Sequence, residues 1–302
     1  MNKPGIADAP DGSPAAARMT ARPVVVGVDG SAHALSAVRW AAQQAALHHA
    51  PLHLVHAIGT GWDFGPRLGV VSLRNQAYHD EGLAALATAE HIARQAAAPD
   101  TLDISTELVW PAPAPVLAKK SRTARHLVVG SRGMDAFDRA LLGSVSSALV
   151  RRSVCPIVVI PPSDKPDSDL PIVVGVDGSA ASARAIDVAF DEAAARDVEV
   201  VAVLAWTEEE TGASATERAE YAQAVLSQNL AGYAEKYPQV RVRRIVAEDD
   251  PARRLLQESA NAQLIVVGSR GRHRLAGFAL GSVSRAVLDR SAVPVLVARP
   301  RS

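Results

Sequence analysis

The sequence is poor in cysteine, in aromatic residues and in net charge, and each shortage excludes a class of protein. Its single cysteine, Cys155, excludes an intrachain disulfide, and the apolar run around it favours a buried, unreactive thiol. Lysine plus arginine and aspartate plus glutamate are 32 each, so the chain has no long-range field for nucleic acid or anionic lipid. We therefore expect neither nucleic acid nor a membrane as a partner.

Long apolar runs are also missing. No stretch of about 18 apolar residues occurs, and residues 1–22 lack the basic and apolar segments of a secretory signal. The same 22 residues have no periodic apolar pattern, which predicts a disordered N-terminal extension. Together these patterns predict a cytoplasmic protein.

What the sequence does contain is an internal repeat. Residues 24–32 (VVVGVDGSA) reappear as 172–180 (IVVGVDGSA), at an offset of 175 minus 27, or 148. Residues 127–133 (LVVGSRG) reappear as 265–271 (IVVGSRG), at an offset of 268 minus 130, or 138. The second copy is therefore ten residues shorter, and the glycine- and proline-rich stretch 59–66, a predicted loop or lid, is the expected place of the difference.

This duplication predicts two domains, since 302 residues can form two cores of ordinary size. We expect them at residues 23–161 and 171–299, called the first and second repeat below. The proline-rich, polar residues 162–170 are predicted to be a linker.

Each repeat alternates short apolar runs with longer helical patterns, which is typical of an α/β fold. Strands are predicted in the first repeat at residues 24–28, 52–58, 102–109, 127–130 and 157–160. Helices are predicted after Ser31, over residues 76–97, from about Pro115 and from Ser144. Such alternation predicts two doubly wound domains, each a five-stranded parallel sheet of order 3-2-1-4-5 with helices on both faces.

The fifth strand is the edge of each predicted sheet, yet residues 156–160 and 294–298 carry no charge. A bare apolar edge promotes aggregation. We therefore expect the two edges to pair, joining the domains about a pseudo-twofold axis, and we expect chains to associate as homodimers.

Two repeated motifs are predicted to meet where the strand order reverses, the usual ligand position in such sheets. The pattern Gly-x2-Gly-x9-Gly-Ser follows the fourth strand, starting at Gly130 and again at Gly268. Glycines and a helix N-terminus expose backbone N–H groups to a phosphate, and Arg132 and Arg270 add positive charge. The serine of each Gly-Ser pair, Ser144 or Ser282, is expected to cap its helix and bind phosphate. The lysine pattern of P-loop NTPases is absent.

Asp29 and Asp177 follow the first strand of each repeat. Each carboxylate suits a ribose hydroxyl, an adenine amine or a magnesium ion, and the alternative is a simple N-cap of the next helix. Their recurrence beside the glycine motif favours binding.

With these motifs, the chain from Pro23 to Arg299 resembles tandem universal stress proteins of the ATP-binding subclass. The resemblance implies ATP, with Mg²⁺ near Asp29 and Asp177, as the ligand in both repeats. The implied contacts in the first repeat are Gly27, Asp29, Ala57, Gly130, Ser131, Arg132, Gly133, Gly143, Ser144 and Val145. Those in the second are Gly175, Asp177, Ala205, Gly268, Ser269, Arg270, Gly271, Gly281, Ser282 and Val283. Trp110-Pro111 replaces Glu248-Asp249, so the two affinities are expected to differ.

Other functions are disfavoured by geometry. His48 and His49 are adjacent on a helix, and His53 and His56 fall on opposite faces of a strand, which argues against a metal site. No histidine or lysine recurs near both glycine motifs, so we predict a nucleotide-dependent regulator or adaptor with an unknown protein partner. The alternatives are a slow ATPase or nucleotidyl-transferring enzyme, and a nucleotide-free, chaperone-like scaffold.

Overall fold

The computed structural model of the chain describes eight stretches: residues 21–58, 71–98, 102–110, 112–133, 142–162, 169–207, 214–271 and 280–299. The predicted N-terminal extension up to residue 20, the loop at 59–66 and linker residues 163–168 lie outside the described residues.

The described residues form ten strands and nine helices. The strands are β1 Val24–Gly27, β2 Leu52–Ala57, β3 Ile104–Val109, β4 His126–Gly130, β5 Ile157–Ile160, β6 Ile172–Gly175, β7 Val200–Trp206, β8 Val242–Glu248, β9 Leu264–Gly268 and β10 Val295–Ala298. The helices are α1 Ala32–Leu47, α2 Val71–Ala96, α3 Pro113–Lys120, α4 Ser144–Arg152, α5 Ala180–Arg196, α6 Ala215–Asn229, α7 Tyr233–Lys236, α8 Pro251–Ser259 and α9 Ser282–Arg290.

The strands form one sheet in the order β3-β2-β1-β4-β5-β10-β9-β6-β7-β8. Within each repeat all neighbours are parallel, which confirms the predicted order 3-2-1-4-5. One apolar core lies between the sheet and α1, α2, α5 and α6, and the other lies between the sheet and α3, α4, α8 and α9. Helices on both faces explain why the strands read as continuous apolar runs.

The two repeats meet through an antiparallel pair of strands, β5 and β10. Ile157 lies opposite Val297, and Val159 lies opposite Val295. Every residue of both strands is buried. The predicted pairing of the two apolar edges is therefore confirmed, and the strands of one repeat run opposite to those of the other.

A buried polar cluster joins α1 to α5 beside this junction. Its members, the α1–α5 cluster, are Gln44, His48, Arg125, His126, Glu192 and Arg196. Gln44 and Glu192 occupy equivalent positions of the two repeats, since 192 minus 44 is 148. Gln44 Nε2 donates to Glu192 Oε2 at 2.5 Å, and His48 Nε2 lies 3.0 Å from Glu192 Oε1. The repeats therefore contact each other here through unlike side chains.

The hydrogen bonds of the cluster fix its protonation. Arg125 donates to His48 Nδ1 at 2.8 Å, so the His48 proton is on Nε2 and points to Glu192. Burial alone would raise the pKa of Glu192, but the His48 hydrogen bond and the positive charge of Arg196 hold it below its ordinary range. Burial also lowers the pKa of His126 to about 4. At neutral pH the cluster thus contains an ionised Glu192 carboxylate and a neutral His126.

Some element boundaries differ from the prediction. Helix α2 begins at Val71, five residues before the predicted start, and the one-turn helix α7 was not predicted. Helix α3 begins at Pro113, where proline suits the first turn because its missing N–H has no partner there. Cys155 is buried, and burial raises the pKa of its thiol to about 11, as expected for an unreactive cysteine.

Candidate functional site

The two repeated motifs lie together at the point where the strand order reverses. Strands β1 and β4 are hydrogen-bonded neighbours, and they end in Gly27 and Gly130 at the same edge of the sheet. In the second repeat β6 and β9 end in Gly175 and Gly268 in the same way. Because β2 lies to one side of β1 and β5 to the other side of β4, a crevice opens between these strand ends.

Each glycine motif brings the start of a helix to this crevice. The Gly143 N–H donates to the Ser131 carbonyl at 2.7 Å, and the Ser146 hydroxyl donates to the Gly130 carbonyl at 2.7 Å. In the second repeat the equivalent bonds, from Gly281 to Ser269 and from Ser284 to Gly268, measure 2.9 and 2.6 Å. The first turns of α4 and α9 are therefore held against the strand ends.

The expected serine caps are wrong. Gly143 and Gly281 occupy the N-cap positions, where glycine has no side chain to cap the helix, while Ser144 and Ser282 are the first helical residues. The loop is tight there, because a Cβ added at Gly143 would lie 3.3 Å from the Ser131 carbonyl oxygen. The valines that follow, Val145 and Val283, pack on the core. An uncapped helix start has first-turn N–H groups without intrahelical acceptors, which suits an anion.

Asp29 lies across the crevice from the glycine motif. Its Oδ1 accepts from the Ser31 N–H at 2.9 Å and from the Ser31 hydroxyl at 2.6 Å. A Cβ added at Gly133 would lie 2.6 Å from Asp29 Oδ2. The second glycine of Gly-x2-Gly therefore makes room for this carboxylate.

The second repeat reproduces that arrangement. Asp177 Oδ1 accepts from the Ser179 N–H at 2.9 Å, and a Cβ added at Gly271 would lie 2.7 Å from Asp177 Oδ2. The turn after each aspartate needs glycine, since the φ angles of Gly30 and Gly178 are 84° and 78°.

The alternative role of the aspartates as helix caps is wrong. Ser31 caps α1, accepting from the Ala34 N–H at 3.2 Å, and Ser179 caps α5, accepting from the Ser182 N–H at 3.2 Å. Each aspartate instead orders the turn before its capping serine. The turn fixes the position of each aspartate, and the aspartate carboxylate faces the glycine motif of its repeat.

The strand-end glycines serve packing. A Cβ added at Gly130 would lie 2.9 Å from the His33 backbone. Gly268 has the same relation to the Ala181 backbone, at 2.8 Å. A Cβ at Gly27 would lie 2.8 Å from a side-chain carbon of α3. The glycines that end β1, β4 and β9 therefore let helices approach the sheet.

The first motif contains two polar atoms that no other described residue satisfies. The Ser131 hydroxyl and the Arg132 Nε atom are both buried without a hydrogen-bond partner in the described part of the chain. Buried polar atoms without partners are unfavourable, so their presence in the crevice fits a group that would supply acceptors. In the second motif the Ser269 residue is also buried, at 3% exposure, whereas Arg270 is exposed.

The two crevices differ beyond the ends of β2 and β7, where Ala57 and Ala205 lie half-buried. Trp110 follows β3 and is 44% exposed, whereas Glu248 at the equivalent place pairs with Arg218 at 3.1 Å. An open cavity of ≈ 830 Å³ lies beside the second repeat. Its lining residues are Thr207, Glu248, Asp249, Asp250, Arg253, Leu256, Gln257 and Arg290.

The histidines considered as metal ligands have separate surroundings. His48 belongs to the α1–α5 cluster, and His53 contacts Ser105 and Glu107, both at 2.8 Å. Among the described residues no group of three or more potential metal-binding side chains occurs.

His56, predicted from the sequence only as an unsuitable metal ligand, lies on β2 beside the candidate site. It precedes Ala57 on β2, and its Nδ1 is buried without a hydrogen-bond partner among the described residues. Burial lowers its pKa, although the charge of Asp29 opposes this. Leu204 takes its place in the second repeat, at the offset of 148. A direct comparison of the two repeats would have singled it out.

These observations define an α/β protein of two doubly wound repeats, each with a glycine loop and an aspartate at its reversal point. The family model described as the universal stress protein family matches residues 20–161 and 170–299. The chain therefore belongs to the universal stress protein family.

The chain is similar to other universal stress proteins over nearly its whole length. The chain is 44% identical over 284 residues to a universal stress protein of Mycobacterium tuberculosis, covering 91% of this chain and 96% of the relative. It is 40% identical over 288 residues to one of Mycolicibacterium smegmatis, covering 92% and 97%. The crystal structure of a universal stress protein from Archaeoglobus fulgidus shares the fold, with a TM-score of 0.65, 21% identity and coverage of 93% and 98%.

In the part of the chain that the structure describes, no helix has the length and apolarity needed to cross a bilayer.

Proposed function

We propose that this protein binds ATP at one site in each repeat and acts in the cytoplasm as a nucleotide-dependent regulator or adaptor in a stress response. One observation carries the proposal: an aspartate carboxylate faces a glycine loop and an uncapped helix start, with the same geometry in both repeats. This geometry combines a carboxylate for a sugar hydroxyl with backbone donors for phosphate.

The residues present fit a nucleotide. The first-turn N–H groups of α4 would bind phosphate oxygens, and the Ser131 hydroxyl and Arg132 Nε would donate to them. Asp29 would accept from the ribose, and the backbone at Ala57 would lie against the adenine. Mg²⁺ would enter with the phosphates near Asp29. The second repeat would use Asp177, Ala205, Ser269, Arg270 and the start of α9.

Alanine at Gly133 or Gly271 tests this proposal. The added Cβ would displace the facing carboxylate, because it would lie 2.6 or 2.7 Å from the Oδ2 atom of Asp29 or Asp177. We expect each variant to lose one of two ATP sites in isothermal titration calorimetry, with affinity at that site reduced by about 10-fold or more, the effect of about 1.4 kcal/mol. The double variant should lose both.

Gly232→Asn is the matched control, since a Cβ there meets no described atom within 4 Å and asparagine tolerates the positive φ of 81°. In the parent protein, ATP at about 100 times its Kd should add about 2.7 kcal/mol to the free energy of unfolding for each of the two sites that it fills. Unchanged stoichiometry in both glycine variants, or no stabilisation of the parent protein by ATP, would refute the proposal.

We propose residues 23–161 and 171–299 as the two domains, with 162–170 as linker, in line with the element order and the two family matches. We also propose that chains form homodimers. Because β5 and β10 pair within the chain, their edges are already used, and the dimer needs another surface. A monomeric mass in light scattering at micromolar concentration would exclude the dimer.

A further inference from the structure

Arg299, directly after β10, is a buried cation without a counter-ion among the described residues. Arg299 is 8% exposed, and its Nε and Nη2 atoms are buried without a hydrogen-bond partner among the described residues. A buried charge without a partner destabilises a fold. An arginine kept in such a place needs an acceptor that the described residues do not provide.

The surroundings of Arg299 are positive. Among the described residues, the charged or titratable groups that act on it are Arg270 and the Cys155 thiol, neither of which is a carboxylate. Burial first, and then the charge of Arg270, lowers the pKa of Arg299. Two neighbouring guanidinium groups repel each other, and an anion between them would remove that repulsion.

This pair lies at the glycine loop of the second repeat. Arg270 is part of that loop, and its Cα lies 3.6 Å from the position of a Cβ added at Gly281, the N-cap of α9. The start of α9 has no side-chain cap in the described structure, so its first-turn N–H groups lack intrahelical acceptors. Ala298 lies opposite Gly268 in the parallel β9–β10 pair, so Arg299 follows β10 at the edge of the sheet where Ser269 and Arg270 follow β9, beside the start of α9.

The sequence of the first repeat has no equivalent cation. Pro161 occupies the position of Arg299, since 299 minus 138 is 161. We propose that Arg299 and Arg270, with the start of α9, form a subsite for a polyphosphate group that is present in the second repeat alone. The inference rests on the proposed function and adds to it that the second repeat prefers the nucleotide with more phosphates.

The test compares Arg299→Met with the parent protein and with Arg285→Met, whose guanidinium belongs to an exposed side chain on α9 (78% exposed). In buffer free of phosphate we expect Arg299→Met to melt at the same temperature as the parent protein or higher, because it removes an unpaired buried charge. Inorganic pyrophosphate should raise the melting temperature of the parent protein and of Arg285→Met, but not of Arg299→Met. Arg299→Lys should retain part of the response.

Calorimetry in a Gly133→Ala background isolates the second repeat. In that background Arg299→Met should weaken ATP binding by about 10-fold or more, because it removes a charged hydrogen bond to phosphate. AMP binding should not change. An equal pyrophosphate response in all variants, or a clearly lower melting temperature of Arg299→Met without phosphate, would overturn the subsite. If the parent protein bound pyrophosphate through Arg299 but no ATP, the proposed function would fail and the anion subsite would stand.

Discussion

The free energy of unfolding of the Glu192→Ala variant is expected to be about 3–5 kcal/mol lower than that of the parent protein, because the variant breaks a buried ion pair with Arg196 and removes the acceptor of Gln44 and His48. Glu192 is 1% exposed and accepts hydrogen bonds from Gln44 and His48. Arg196, whose Nε lies 3.5 Å from Glu192 Oε2, would keep its charge in the low-dielectric space between α1 and α5.

The chain offers a matched control for this substitution. Glu90 and Arg94 on α2 form another i,i+4 pair, at 2.6 Å, but both side chains are exposed. Glu90→Ala should therefore reduce the free energy of unfolding by about 0.5 kcal/mol or less. Urea denaturation at pH 7.5 gives both values, and a difference of less than about 1 kcal/mol between the variants would contradict the buried role of Glu192.

The second large effect is a loss of stability in acid. The pKa of His126 is about 4 in the folded protein and 6.5 ordinarily, so the unfolded chain binds a proton first as the pH falls. Stability is complete above pH 6.5 and declines toward pH 4, by about 3 kcal/mol at about 1.36 kcal/mol per pKa unit. The pKa of Glu192 is also depressed, so its contribution, present above its ordinary pKa of 4.5, is lost at still lower pH.

His126→Leu separates the two contributions. The second repeat has Leu264 in the equivalent register, opposite the first residue of β6 as His126 lies opposite the first residue of β1, so leucine fits a strand of this kind. We expect the free energy of unfolding of this variant to fall less than that of the parent protein between pH 7.5 and about pH 4.5, with the remaining decline coming from His56, whose pKa is also lowered. A slope equal to that of the parent protein would assign the acid response to another group. The charged and titratable groups around His126, all retained in the variant, are His48, Arg125, Glu192 and Arg196.

Much of the fold was predictable because its signals are local and occur twice. Continuous apolar runs at 24–26 and 172–174 predicted buried parallel strands, and the uncharged fifth strands predicted their mutual pairing. The α1–α5 cluster was not predictable in this way. Gln44 and Glu192 read as ordinary polar residues on helices, and only the antiparallel junction brings these two equivalent positions together.

The position of the candidate site was predictable, but the roles of its individual residues were less so. The spacing of glycines located the crevice, since strand ends at a reversal point are fixed by topology. It could not reveal that Gly130 serves contact with the His33 backbone, or that Gly133 makes room for Asp29, because both depend on distances between elements remote in sequence. Arg299 follows an apolar strand as many surface residues do, and nothing in the local pattern indicates that it is buried.

The antiparallel junction of β5 and β10 also determines which way the two crevices face. Because all strands of one repeat run opposite to those of the other, the glycine loops open at opposite rims of a single ten-stranded sheet. A flat partner docking on one rim would contact one loop only.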